Sequence, residues 1–256
     1  MKQPNDYQTV GCKECANGSL LGFDFSMALQ PIVDVRQKTV FAQEALVRGL
    51  AGESAASVFS MVNDSNRYRF DQSCRVKAIK LSAELDVDCM LSINFMPNAV
   101  YKPELCIRTT LDAAEEYGFP IDRIIFEITE SEKIENKDHL RNIVKYYQQK
   151  GFKTAIDDFG AGYSGLNLLA DMQTDLVKLD MALIRHIHLD RTRQVIVKGI
   201  LQVCADLGIE VIAEGIEEAE ELKALEDLGI TLFQGYYFAR PAFESIAEVP
   251  ASCFNA

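Results

Sequence analysis

From Phe25 onward, short apolar or β-branched runs alternate with longer amphipathic stretches. The runs at residues 27–33, 39–47, 90–94, 124–127, 154–157, 176–178, 210–213 and 231–233 predict strands. Residues 55–61, 70–85, 103–117, 137–149, 192–207 and 219–228 predict helices, with shorter turns at 166–170 and 181–187. The long helices place apolar residues three and four apart, as at Ile196, Ile200, Val203 and Leu207, the spacing of one core-facing stripe. Regular strand–helix alternation marks βα units around a parallel sheet. A length of about 250 residues is usual for a single α/β barrel. Only residues 34–38 join the first two strands, too few for a helical crossover, so this pair is expected to run antiparallel. No linker or low-complexity segment follows Phe25. Residues 25–250 are therefore expected to form one domain behind a polar, glycine-interrupted and poorly ordered lead-in at 1–24.

Charge changes this picture. The 256 residues carry 26 Lys+Arg against 38 Asp+Glu, a formal net charge of −12 with no basic run. That argues against a broad phosphate-attracting surface, hence against a DNA or RNA polymer as partner. If the ligand is anionic, its positive counterpart must come from elsewhere. The longest charge-free stretch is 13 residues and holds Ser, Asn and Pro, so no membrane insertion is expected. Residues 1–11 lack an apolar signal core, and a cytoplasmic location is expected. An odd count of seven cysteines fits reduced thiols. Cys12 and Cys15 form half of a possible zinc site with no second pair at ligand spacing, or simply two free surface thiols.

The candidate chemistry lies where the strands stop. The second strand carries Glu44, followed by Arg48; the third ends at Asn94 and the fourth at Glu127, with Glu130 just beyond. Asp157-Asp158, Lys178 with Asp180, Glu214 with Glu217, and Gln234 follow at the next four ends. In an α/β barrel these ends converge on one mouth, where active sites are built from several strands. Helix capping is an alternative for Glu130 and Asp180. It serves less well for Asp157-Asp158, whose adjacent carboxylates repel unless a cation bridges them. Oxygen donors without His or Cys point to Mg²⁺ or Mn²⁺ rather than Zn²⁺; His139, His186 and His188 all lie in or beside predicted helices. Two hard ions within about 4 Å that share an aspartate are the usual apparatus for in-line attack of water on a phosphodiester. A nearby lysine can orient that water or stabilise charge on the phosphate, and Arg48 can grip a phosphate in bidentate fashion. The run Asp158-Phe-Gly-Ala-Gly-Tyr-Ser-Gly165 lacks the Lys and spacing of a nucleotide cradle; it reads as a mobile loop that positions the metal ligands.

Gln43-Glu44-Ala45-Leu46-Val47-Arg48 resembles the signature of EAL domains, phosphodiesterases specific for cyclic-di-GMP. The resemblance spans about residues 25–243. It takes in Leu29-Gln30-Pro31-Ile32-Val33, Ser92-Ile93-Asn94-Phe95, Phe126-Glu127-Ile128-Thr129-Glu130, Ile156-Asp157-Asp158-Phe159-Gly160, Val177-Lys178-Leu179-Asp180, Ala213-Glu214-Gly215-Ile216-Glu217 and Phe233-Gln234-Gly235-Tyr236. It implies a modified TIM (β/α)8 barrel with an antiparallel first strand, and hydrolysis of cyclic-di-GMP to linear pGpG with two Mg²⁺ or Mn²⁺. By position, Glu44, Asn94, Glu127 and Asp157 would hold one metal; Asp157 would bridge to a second, held with Asp158 and approached by Glu214. Lys178 would contact the attacking water, Glu214 would serve as base or metal-site residue, and Glu130 would anchor the glycine-rich loop. Gln30, Leu46 and Arg48 would contact substrate, with Asp180, Glu217 and Gln234 beside them. A homodimer is also implied. Ca²⁺, which prefers more and longer oxygen contacts, is expected to bind yet support little catalysis.

Two departures stand out, Phe95-Met96-Pro97 for a common Leu-Ser-Pro and Ser164-Gly165 for two serines; neither removes a ligand. The lead-in is too short for a sensory domain, which fits a free-standing or excised domain. A catalytically inactive receptor or protein-interaction module is the alternative, although such members usually lack acids that are all present here. An enolase-type lyase does not account for the adjacent aspartates or the motif order. Eight of the acids are thereby assigned to one mouth (Glu44, Glu127, Glu130, Asp157, Asp158, Asp180, Glu214, Glu217), and two divalent ions there would bring the net charge from −12 to −8.

Overall fold

The computed structural model describes residues 21–100, 102–129, 136–162 and 165–254. Strand β1 (Ser26–Asp34) leads directly into β2 (Thr39–Arg48). Helices α1 (Ala55–Phe59) and α2 (Arg67–Glu84) precede β3 (Met90–Asn94); α3 (Pro103–Cys106) and α4 (Arg108–Tyr117) precede β4 (Ile124–Thr129). The chain continues through α5 (Lys137–Gln149), β5 (Lys153–Phe159), α6 (Gly165–Asp171), β6 (Leu176–Leu179), α7 (Met181–Ile184) and α8 (Arg191–Leu207). It closes with β7 (Glu210–Ala213), α9 (Ala219–Asp227), β8 (Leu232–Gln234) and a short β9 (Ala242–Phe243).

Strands β2 to β8 pair in parallel in sequence order, and β1 closes the ring by pairing antiparallel with both β2 and β8. The short 34–38 connection therefore does what its length dictates. The result is an α/β barrel with a reversed first strand.

Side-chain alternation divides each strand between two environments. Leu29, Ile93, Phe126, Ile156, Val177, Ala213 and Phe233 belong to the layer between barrel and helices. Ile32, Ala42, Ile125, Ala155, Leu176, Ile212 and Leu232 form a separate apolar plug inside the ring. Two residues further toward the mouth, the inward positions are Glu44 on β2, Ser92 on β3 and Glu127, Asp157, Lys178, Glu214 and Gln234 on β4 to β8. On the reversed β1 the same level is reached two residues earlier, at Gln30, which pairs in register with Glu44.

Two sequence expectations need correction. The helix expected at 103–117 is split at Ile107, where the β-branched run Ile107, Thr109 and Thr110 weakens helical propensity while Cys106 and Ile107 are drawn into the core. The apolar stripe on α8 is not the core face: Ile196, Val203 and Leu207 are 46%, 37% and 46% exposed, and the buried positions are Val197 and Cys204. This helix carries two apolar stripes, and spacing alone does not choose between them. The Asp190 cap on Thr192 and Arg193 and the left-handed Gly208 fix its two ends. Among the described residues, Cys74, Cys89, Cys204 and Cys253 are free thiols, and no helix is long and apolar enough to cross a membrane. Cys12 and Cys15 lie outside the described residues.

Candidate active site

Lys178 stands at the centre of the polar layer. Its buried ammonium lies 2.7 Å from Glu127 Oε2, 2.7 Å from Glu214 Oε1, 3.1 Å from Asp157 Oδ1 and 3.3 Å from Glu44 Oε2. Strand β6 carries it there on the inward side of a fully buried Leu-Val-Lys-Leu run. Around this hub, Asn94 Nδ2 donates to Glu44 Oε1 at 2.9 Å and Gln234 Nε2 donates to Glu44 Oε2 at 2.8 Å. Ser92 donates a short hydrogen bond to Glu127 Oε1.

Adjacent residues on a regular strand face opposite sides, yet Asp157 and Asp158 both reach the mouth. The β5–β6 register slips between Ile156 and Phe159, and Asp158 takes a left-handed φ of 55°. This local break turns the second carboxylate inward. Carboxylate oxygens of Asp157, Asp158 and Glu214 then lie within 4.8 Å of one another.

Four carboxylates contact one ammonium, and their ionisation records the imbalance. Burial pushes Glu127 up to about 8, against the pull of Lys178 and with the help of Glu44 and Asp157. Burial likewise drives Glu214 well above the usual carboxylate range. Asp158 is raised to about 6 by burial and by Asp157 and Asp180. Glu44 also suffers burial, but Lys178, Gln234 and Asn94 together hold it below its ordinary value. Lys178 stays protonated, because its four acidic neighbours outweigh the burial that opposes its charge. Asp157 Oδ1 is buried, makes no well-formed hydrogen bond among the described residues, and faces the Lys178 ammonium that three other carboxylates share. A donor set made only of oxygens, with one ammonium shared among four carboxylates, is short of positive charge and fits hard divalent cations. Glu44, Asn94, Glu127, Asp157, Asp158 and Glu214 are the residues that could hold them.

A cavity of about 250 Å³ opens over this layer, lined by Gln30, Glu44, Leu46, Asp158, Asp180 and Glu214 together with Glu217, Gln234, Met181 and Tyr236. On the other side of Leu46 a second, more apolar cavity of about 500 Å³ reaches Asn94, Phe59 and Phe95. Asp180 both lines the first cavity and caps α7, its Oδ1 accepting from Ala182 N at 2.7 Å, so the capping role read from sequence is real. Glu217 pairs with Arg185 at 2.9 Å, which holds its carboxyl below the usual value. The Arg48 guanidinium donates to the Val47 carbonyl at 2.7 Å, and Arg48 is not among the residues lining the first cavity. Glu130 lies outside the described residues.

Sequence reading missed Ser92, Met181 and Tyr236. Ser92 could have been found, since it sits two residues before Asn94 and alternation points it inward. Met181 opens the one-turn α7 and Tyr236 follows β8, too little regular structure for a period to mark either. Gly235 is required by packing: a Cβ there would fall 2.1 Å from the Ile216 carbonyl oxygen.

The EAL domain family profile matches residues 17–241, and the chain belongs to this family. It is 32% identical over 223 residues to the blue light- and temperature-regulated antirepressor BluF of Escherichia coli K12, covering 87% of this chain and 55% of that protein. Shorter matches of 31% and 39% identity are to proteins of Shewanella oneidensis and E. coli named cyclic di-GMP phosphodiesterases, of which each match covers 19%. The chain thus spans about half or less of the length of these curated relatives. Among solved structures, a standalone versatile EAL protein from Vibrio cholerae O395 in its c-di-GMP-bound form is 58% identical. It superposes with a TM-score of 0.88 over 91% of this chain and 98% of that one. Klebsiella pneumoniae BlrP1 in a manganese/cyclic-di-GMP complex is 40% identical, with a TM-score of 0.84 over 88% and 58% of the two chains.

Proposed function

We propose that this chain is a metal-dependent phosphodiesterase that hydrolyses cyclic-di-GMP to linear pGpG. The observation that carries the reading is the complete oxygen-donor layer around Lys178, with its deficit of positive charge. The cyclic-di-GMP complexes of similar EAL proteins support the ligand, and the manganese in one of them supports a divalent ion.

Two Mg²⁺ or Mn²⁺ ions, when bound, lower the pKa of the attacking water and neutralise charge on the phosphate. Glu44, Asn94, Glu127 and Asp157 would hold one ion, and Asp157, Asp158 and Glu214 would hold the second. Asn94 is already oriented for this, because its amide nitrogen donates to Glu44 and leaves its oxygen as the free donor. Lys178 orients the water and meets the charge developing on phosphorus-bound oxygen. The two cavities flanking Leu46 suit a dinucleotide with a base on either side of the scissile bond. Gln30, Asp180, Glu217 and Gln234 offer polar contacts, and Arg48 reaches a phosphate by releasing the Val47 carbonyl. Residues 25–250 are the catalytic unit, which acts as a homodimer; its mostly buried cysteine thiols suit the cytoplasm.

The antirepressor among the relatives favours a second reading, a cyclic-di-GMP receptor that controls a partner protein. Chromatography of cyclic-di-GMP incubated with protein and Mg²⁺, with EDTA as the control, separates the two. Metal-dependent pGpG supports the enzyme; tight binding without product supports the receptor.

A further inference from the structure

Arg75 is completely buried, on the face of α2 that packs against the outside of the barrel. Its Nη2 lies 2.7 Å from Asp71 Oδ2 one turn earlier, and its Nη1 donates to the Tyr147 hydroxyl of α5 at 3.1 Å. The guanidinium carbon sits 5.3 Å from the Phe95 ring centroid, 5.0 Å from that of Phe126 and 5.8 Å from that of Tyr147. Asp71 spends its other oxygen on the strand end, accepting from Met96 N at 2.8 Å. An apolar side chain of similar volume could fill this space without desolvating a charge. What the ion pair adds is direction: a planar fork fixes how α2, α5 and two strand ends lie against one another.

Those strand ends carry candidate ligands. Phe95 follows Asn94 and Phe126 precedes Glu127, so two of the three rings on the guanidinium are outward neighbours of an inward donor. Phe95 N also donates to the Glu127 carbonyl at 3.1 Å, tying the two strands together at that level. We propose that Asp71 and Arg75 are positioning residues that set Asn94 and Glu127 in the geometry needed to take up a divalent ion. The inference rests on the metal-site reading given above and extends it to residues on the far side of the strands.

The test is direct Mn²⁺ binding to the full chain without substrate, by calorimetry or by the electron paramagnetic resonance of free Mn²⁺, with thermal melts in parallel. The double variant Asp71→Asn/Arg75→Met removes both charges but keeps an acceptor for Met96 N. It is expected to weaken Mn²⁺ binding about 10–100-fold, the usual effect of losing a group that orients a ligand. Tyr147→Phe, which deletes one hydrogen bond, is expected to weaken it a few-fold and carries the test if the double variant does not fold. Val197→Ala, a core truncation on α8, serves as the control and should lower the melting temperature with Mn²⁺ affinity intact. Wild-type affinity in the folded hub variants, or an equal loss in Val197→Ala, overturns the proposal. A wild-type chain that takes up no Mn²⁺ overturns the metal reading and this inference with it.

Discussion

Two levels of the same barrel interior, one side-chain step apart, are built on opposite principles. The lower is a plug of Ile32, Ala42, Ile125, Ala155, Leu176, Ile212 and Leu232. The upper holds Glu44, Glu127, Asp157 and Glu214 around Lys178. Both are enclosed by the same strands and share their register. The plug gains from every apolar contact, whereas the upper level holds like charges out of water with one counter-ion among them. A fold tolerates such a layer only because the closed strands and the plug beneath leave the side chains no alternative placement. The upper level is where stability is given up for chemistry.

Breaking the upper level has the largest expected effect. Asp157→Ala or Glu44→Ala should abolish pGpG formation, by more than about 10³-fold if the ions provide the main electrostatic stabilisation. Because Asp157 adds to the repulsion, its removal should leave the melting temperature of the metal-free protein unchanged or higher. Lys178→Ala should reduce kcat by about 10²–10³-fold with little change in KM; an effect confined to KM would argue against its contact with the attacking water. Ile125→Ala in the plug should do the reverse, costing about 2–4 kcal/mol in a denaturant titration while each folded molecule turns over nearly as fast.

A smaller effect concerns pH. Asp158 and Glu127 are raised to about 6 and about 8, so the folded, metal-free protein binds more protons than the unfolded chain from about pH 4 to pH 8. Its melting temperature should therefore fall as pH rises through that window. Saturating Mn²⁺ should flatten the slope, since the ions supply the charge that protons otherwise provide; an identical slope with and without Mn²⁺ would separate these acids from the metal site.

Much of the upper level was legible in the sequence for a simple reason. Strands ending in Glu127, Asp157, Lys178 and Glu214 announce themselves one at a time, and barrel closure brings them together without further information. The antiparallel β1 followed from a loop length. What escaped depends on contacts that no local period encodes. Arg75 meets Tyr147 across 72 positions, and nothing near Arg75 in sequence marks it as more than a surface helix residue. The face of α8 was misjudged because two apolar stripes share one helix, and the hydrogen bond of Arg48 to the Val47 carbonyl is a choice that a long side chain makes only in three dimensions. Asp158 was expected at the site from its carboxylate; the backbone twist that delivers it was not visible.

The reversal of β1 also fixes where anything upstream is wired in. Ser26 pairs with Arg48, so β1 begins at the rim of the mouth and runs away from it. In a regular barrel the first strand starts at the opposite face, and a segment fused ahead of it would be tethered far from the substrate opening. Here the point of attachment is the doorway itself. A segment fused ahead of β1 would be tethered beside the entrance and not at the far face.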